Sequence, residues 1–182
     1  MKKKILLVAG GYSNERDISL MTAKSVYLAL KNNKKYNLKI IEPDGKFIKK
    51  LRLYKPDVVL NLLHGRYGED GYIQSILESE KIKYTHSGVK SSSIAIDKEL
   101  SKKLFTKNNI LTPKYVKFEF KKNIIKKNII KLIKKKLDFP VVVKPINEGS
   151  SVNVYICNKS NLINNLYKLQ NYGEVLIEKF IP

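Results

Sequence analysis

Phe139-Pro140-Val141-Val142-Val143-Lys144-Pro145, continued by Ile146-Asn147-Glu148-Gly149-Ser150-Ser151 and then Val152-Asn153-Val154-Tyr155, is the stretch whose reading decides the fold. Its first part is an apolar run short enough for a buried strand, and it closes on a lysine. A second apolar run follows a loop of small and polar residues, so the stretch reads as two strands joined by a Gly-Ser-Ser loop. A lysine ending a buried strand presents one fixed positive charge, and the amides and hydroxyls of such a loop can close over a phosphate. A plain hairpin would not need a lysine inside an apolar strand. Lys144, Gly149, Ser150 and Ser151 are therefore candidates for holding a phosphorylated ligand.

Working outward from this stretch, residues 152–157 form the second strand, residues 162–169 a helix and residues 174–180 a last strand. In the other direction lies a lysine-rich helix over 124–137, in which Ile124, Ile125, Ile129, Ile130 and Ile133 keep a helical stripe. Before it come a strand over 115–120 and a helix over 93–107, with Ile94, Leu100 and Leu104 as the expected buried face. Residues 89–182 thus form an α+β unit. The front of the chain has another rhythm. Strand 5–9, helix 17–30 (Ile18, Met21, Val26 and Leu30 at helical spacing), strands 38–41 and 57–63, and helix 71–79 alternate, and the strands are apolar throughout. That pattern predicts an open parallel α/β sheet covered on both faces, occupying residues 1–88.

The formal net charge of +20 would suit a polyanion-binding surface, because such a surface gains affinity by releasing counterions. Only Arg16, Arg52 and Arg66 are arginines, however, and arginine is the side chain favoured for bidentate phosphate and base recognition. Lysine is spread along the whole chain, which reads as a solvated surface and not as a nucleic-acid site. The single cysteine, Cys157, excludes an internal disulfide and any multi-cysteine metal site; it lies in an apolar run and is expected to be buried. The basic start and the apolar residues 5–9 are too short for a signal peptide and run into Gly10-Gly11, and no segment reaches the roughly 18–20 apolar residues of a membrane helix. A cytoplasmic protein is expected.

Two further loops follow strands. Ala9-Gly10-Gly11-Tyr12-Ser13-Asn14-Glu15-Arg16 opens a helix, where amides can hold an anion; it lacks the G-x-G-x-x-G spacing of dinucleotide-binding folds. Glu15, at the carboxyl edge of a sheet, is placed to hold a substrate ammonium. Leu63-His64-Gly65-Arg66-Tyr67-Gly68-Glu69-Asp70-Gly71 is a flexible loop in which His64 suits a polar group facing a ligand; His64, His86 and the nearby acids have no recognised metal-ligand spacing. Lys98, by itself, is one lysine among many.

The order of these motifs, with Ser87-Gly88, Asp97-Lys98, Glu148-Gly149-Ser150-Ser151-Val152 and Val175-Leu176-Ile177-Glu178-Lys179, resembles D-alanine:D-alanine ligase, an ATP-grasp family of peptidoglycan synthesis, along the whole chain. The resemblance implies ATP-dependent joining of two D-alanines through an acyl phosphate. It implies that Glu15 holds the ammonium of the first D-alanine, with Ile18 nearby and His64 beside the substrates. Lys98 and Lys144 would contact ATP phosphates under a cover formed by Gly149, Ser150 and Ser151. Ser150 would join Glu15 in orienting the second substrate, and Glu178, Lys179, Phe180 and Ile181 would line the adenine pocket. Residues 89–182 would be the first subdomain of an ATP-grasp fold. The second half, with the magnesium ligands, is expected to lie outside these residues, so no metal ligand is expected here and turnover by this chain alone is not. The resemblance leaves a homodimer open. Asn153 stands where the family commonly has glycine, which would stiffen the loop, and Tyr67 replaces a small residue. The alternatives are another ATP-grasp carboxylate:amine ligase, which the Glu15 and His64 segments disfavour, and a noncatalytic nucleotide- or polyanion-binding remnant.

Overall fold

The computed structural model describes residues 1–120 and 126–182, and the chain divides into two compact units, Met1–Ile96 and Asp97–Pro182. The division falls one helix later than the expected boundary after residue 88. The first unit runs β1 (Lys3–Val8), α1 (Arg16–Leu30), β2 (Tyr36–Ile41), α2 (Phe47–Tyr54), β3 (Val58–Asn61), α3 (Tyr72–Ser79) and α4 (Val89–Ile96). Its strands form a parallel sheet in the order β2-β1-β3, with Ile5 opposite Leu38 on one side and Val58 on the other. A parallel bridge from Val59 to Tyr84 lengthens the β3 edge. Leu6, Leu7 and Val8 are all fully buried, which successive strand residues achieve only when both faces of a sheet are covered.

The core of this unit gathers Leu6, Val8, Ile41, Phe47, Leu51, Val59, Leu63, Ile73 and Leu77. The helix α2 was not expected from sequence, although Phe47, Leu51 and Tyr54 have the spacing that puts them on one face. In α1 the expected apolar face is corrected. Ile18 and Met21 are exposed, and the buried residues are Ser19 and Ala23. The reason is the loop after β1, whose backbone needs a hydrogen-bonding side chain from the first turn of the helix. At Gly71, which precedes α3 with φ +96°, an added Cβ would lie 2.9 Å from the Val89 carbonyl; the glycine lets α4 sit close to the start of α3.

The second unit runs α5 (Lys98–Lys107), β4 (Tyr115–Glu119), α6 (Lys126–Lys136), β5 (Val141–Pro145), β6 (Tyr155–Cys157), α7 (Leu162–Lys168) and β7 (Glu174–Lys179). All its strand pairs are antiparallel, in the order β4-β7-β5-β6; the parallel sheet of the first unit and the α+β character of the second are as the sequence led us to expect. Ile129, Ile133 and Leu137 on α6 pack with Val141, Val143, Cys157, Leu162, Leu166, Leu169, Val175 and Ile177. Ile124 and Ile125, the start of the expected stripe, lie outside the described residues. Cys157 is buried, as expected; it accepts from Asn165 Nδ2 at 3.3 Å, and burial pushes its thiol up from its ordinary value.

Three expectations in this region are corrected. The helix expected over 93–107 breaks at Asp97, whose extended backbone and side chain cap α5: Leu100 N donates to Asp97 Oδ1 at 2.9 Å. The face expected to be buried is also wrong, since Leu100 and Leu104 are exposed and Lys102 is buried. The strand expected from residue 152 begins only at Tyr155, because Val152 and Asn153 are in a turn.

Candidate functional site

In the first unit the loops after β1 and β3 are tied together by serines. Ser19 Oγ accepts from Gly10 N at 2.8 Å and donates to Leu62 O at 2.6 Å, while Ser13 Oγ accepts from Glu15 N at 3.1 Å and donates to His64 O at 2.8 Å. Glu42, at the end of β2, accepts from Gly11 N at 3.1 Å and takes a bidentate pair of bonds from Arg16, which lowers its carboxyl below the ordinary value. These ties place Glu15 and His64 at the carboxyl edge of the parallel sheet, where open α/β sheets bind ligands.

Glu15 is buried, and its carboxylate lies against Gly65: a Cβ built there would come within 2.6 Å of Glu15 Oε2. Gly65 N in turn donates to Glu69 Oε2 at 2.8 Å, so two carboxylates flank one glycine. The His64 ring meets Thr22 Oγ1 at 3.2 Å. A cavity of about 450 Å³ opens beside this group, lined by Gly10, Gly11, Tyr12, Leu63, His64 and Tyr67 among others. The loop that carries His64 and Tyr67 is held at Gly68, whose carbonyl accepts from both Asn61 Nδ2 and Gln74 Nε2 at 2.8 Å. Two carboxylates beside an imidazole can receive an ammonium.

In the second unit the groups are cationic. Lys144 ends β5 and its ammonium is ion-paired with Glu178 Oε1 on the neighbouring β7. Lys102, from α5, reaches the other oxygen, Glu178 Oε2, at 2.8 Å. Lys98 opens the same helix and donates to the carbonyls of Ile146 (3.1 Å) and Glu148, tying α5 to the base of the loop after β5. Burial alone would raise the Glu178 carboxyl, but the hydrogen bonds and charges of Lys102 and Lys144 outweigh it and hold Glu178 below the ordinary carboxylate range. Burial lowers the Lys98 ammonium, and the nearby Lys144 charge lowers it further. Two ammoniums thus share the Glu178 carboxylate, and Lys98, which also has Glu148 and Asp97 near it, stands beside Lys144 at the base of a loop of small residues.

That loop has an unusual backbone. Ser150, Ser151 and Asn153 take positive φ angles of 46°, 59° and 56°, a region that favours glycine, whereas Gly149 is absent from the positive-φ residues. The turn is closed by Val152 N donating to Gly149 O at 3.0 Å, and Asn153 anchors it by donating to Tyr172 OH at 2.7 Å and accepting from Tyr155 OH at 3.1 Å. Among the residues that the sequence singles out, the structure brings Lys98, Lys144 and Glu178 into one cluster at the base of the Gly149–Ser151 loop. It brings Glu15 and His64 together in the first unit, with Ile18 exposed on the first turn of α1. Lys179 and Ile181 are exposed and Phe180 is half-buried at the end of β7. Sequence reasoning missed Lys102, Thr22 and Glu69 as members of these groups. Neither Thr22 nor Lys102 carried a local signal, since each lies on a helix with several polar residues per turn. Among the described residues, no three His, Cys, Asp or Glu side chains group closely enough to hold a metal ion.

Residues 104–182 match the family model described as D-ala D-ala ligase C-terminus. The chain is 63% identical over 182 residues to the D-alanine:D-alanine ligase of Pelagibacter ubique (strain HTCC1062), covering all of this chain and 59% of that protein. The crystal structure of D-alanine:D-alanine ligase from Bacillus anthracis superposes with a TM-score of 0.84 at 36% identity, covering 99% of this chain and 58% of that one. The structure of the Bacillus anthracis ligase complexed with ATP superposes with a TM-score of 0.81 at 33% identity, over 99% of this chain and 59% of that one. The chain therefore spans a little over half the length of these relatives. Sequence and fold agree from end to end, with the α/β unit and the antiparallel unit in the same order, and the chain belongs to the D-alanine:D-alanine ligase family, of the ATP-grasp type.

Proposed function

We propose that these 182 residues carry the nucleotide-phosphate and first-substrate groups of a cytoplasmic D-alanine:D-alanine ligase. The observation that carries the reading is the placement of Lys98 and Lys144 beside one another at the base of the Gly149–Ser151 loop, Lys98 bonded to the carbonyls of Ile146 and Glu148 and Lys144 held by Glu178. Two neighbouring half-buried ammoniums repel one another unless an anion bridges them, and a triphosphate is an anion that can do so. The residues present fit ATP. Lys98 and Lys144 bind its phosphates, the amides and hydroxyls of Ser150 and Ser151 cover them, and the segment Glu178-Lys179-Phe180-Ile181 borders the adenine.

In the first unit the Glu15 carboxylate holds the ammonium of one D-alanine, Ile18 stands beside it, and His64, bonded to Thr22, orients the carboxylate. Phosphorylation of that carboxylate supplies the leaving group that a free carboxylate lacks, and the amine of a second D-alanine displaces it to form the peptide bond. Magnesium is part of this reading, since it would neutralise charge on a transferring phosphoryl group; the described residues offer it no ligand cluster. The chain spans 59% of the Pelagibacter relative, and the part of the reaction proposed for these residues is nucleotide and first-substrate binding.

The test is D-alanine-dependent ADP release by the 182-residue chain with magnesium and ATP, run beside the chain mixed with the complementary part of a related ligase, and accompanied by ATP binding to the chain alone. ATP binding by the chain, with release only in the mixture, is the expected result. Equal binding of ATP and inorganic triphosphate, with a steep salt dependence, would replace this reading by a polyanion-binding remnant.

A further inference from the structure

Lys102 is the one buried lysine among the described residues, and its ammonium is saturated. It donates to Thr112 Oγ1 at 2.8 Å and to Pro113 O at 3.0 Å, and it pairs with Glu178 Oε2 at 2.8 Å; three N–H groups meet three acceptors. The Tyr115 ring lies 5.5 Å from the same nitrogen. Lys144, on the other carboxylate oxygen, is more exposed: 19% of its side chain is accessible against 7% for Lys102. The carboxylate is therefore shared between a lysine fixed on every side and one held mainly by the carboxylate itself.

A phosphate oxygen entering this site competes with Glu178 for Lys144. If Lys144 turns to the phosphate, the Glu178 carboxylate, with 10% of its side chain accessible, loses half of its countercharge. A buried carboxylate left without a cation takes up a proton or moves. The charged groups facing Glu178 are Lys102 from α5, Lys144 from β5 and, further off, Lys98 at the start of α5; Tyr115 is its register partner on β4. Only Lys102 has bonds that a phosphate at the loop would leave in place.

We infer that Lys102 is a positioning residue of the nucleotide site: it keeps the Glu178 carboxylate charged and fixed while Lys144 exchanges that carboxylate for a phosphate, so that nucleotide binds without a proton entering the site. The inference rests on the nucleotide reading above. It gives Lys102 a role distinct from packing, because Lys102 touches neither the loop nor the phosphate lysines and acts through Glu178.

The test is calorimetry of ATP binding to the 182-residue chain in two buffers of different ionisation enthalpy, from pH 7.5 to 8.5. Relative to the wild type, Lys102→Met is expected to take up close to one additional proton per ATP and to lose about tenfold in affinity for each pH unit, the slope of one linked proton. Lys102→Arg is expected to restore the wild-type profile. A Lys102→Met chain that binds ATP with the wild-type proton balance overturns the inference and leaves the nucleotide reading standing. Absence of ATP binding by the folded wild type sinks the nucleotide reading instead. A ligand-free measurement holds in either case: in Lys144→Met, the carboxyl carbon-13 resonance of Glu178 is expected to stay in its ionised position at pH 6. If it titrates above pH 6, Lys102 does not hold the charge and the inference fails.

Discussion

Replacing Ser19 by alanine removes the buried hydroxyl that ties Gly10, after β1, to Leu62 at the end of β3. Two bonds disappear, Gly10 N to Ser19 Oγ at 2.8 Å and Ser19 Oγ to Leu62 O at 2.6 Å. The two orphaned groups are not equivalent. Gly10 is buried and its amide has no route to water, so it incurs the full desolvation penalty of about 1–3 kcal/mol. Leu62 is half-buried and its carbonyl can recruit water, so its loss is nearer the net worth of one bond, about 1 kcal/mol. The sum is about 3 kcal/mol, concentrated in the loop that carries Glu15. The assay is amide hydrogen exchange followed by NMR, because it reads local opening residue by residue. At about 1.4 kcal/mol per factor of ten, the Gly10 amide of Ser19→Ala is expected to exchange more than a hundredfold faster than in the wild type. Ser13→Ala, which removes bonds from a half-buried position, is the milder control. Exchange at Gly10 within threefold of the wild type would refute the claim that Ser19 sets this loop.

Ile133→Ala, a truncation at a fully buried position of α6, is expected to destabilise the second unit by about 2–5 kcal/mol in denaturant unfolding, the range for large-to-small changes in a packed core. Glu178 makes stability depend on acid pH. Its folded-state pKa is lowered, so its contribution is complete above the unfolded value of about 4.3 and is lost as pH falls through the lower folded value. Thermal melts from pH 7 to pH 3 are expected to fall in that acid window and to lose that limb in Glu178→Gln. Asn153→Gly removes the bonds to Tyr172 and Tyr155 while relieving a φ of +56°, so the amides of Val152 and Val154 are expected to exchange about tenfold faster with little change in the melting of the whole chain. Unchanged exchange there would mean that Asn153 does not anchor the loop.

The sequence by itself determined the parallel sheet of the first unit and the α+β character of the second, but not how the strands of the second pair. An unbroken apolar run such as Ile5 to Ala9 can only be satisfied by cover on both faces, and the run ending in Lys144 was legible because a charge inside an apolar strand needs a reason. It also determined the family, since Glu15, His64, Lys98, Lys144, the Gly-Ser-Ser loop and Glu178 lie in a characteristic order. What it left undecided is what side chains do when distant segments meet. Apolar spacing pointed to Ile18 and Met21 on α1 and to Leu100 and Leu104 on α5, and all four are exposed. The buried residues are Ser19 and Lys102, because the backbone at Gly10 and Leu62 and the carboxylate of Glu178 demanded polar partners that no local pattern announces. Residues 19 and 62, or 102 and 178, are brought together by the tertiary fold alone. A buried hydrogen bond or ion pair outweighs the hydrophobic preference of one helix turn, and so the polar frame of the site was decided only by the folded structure.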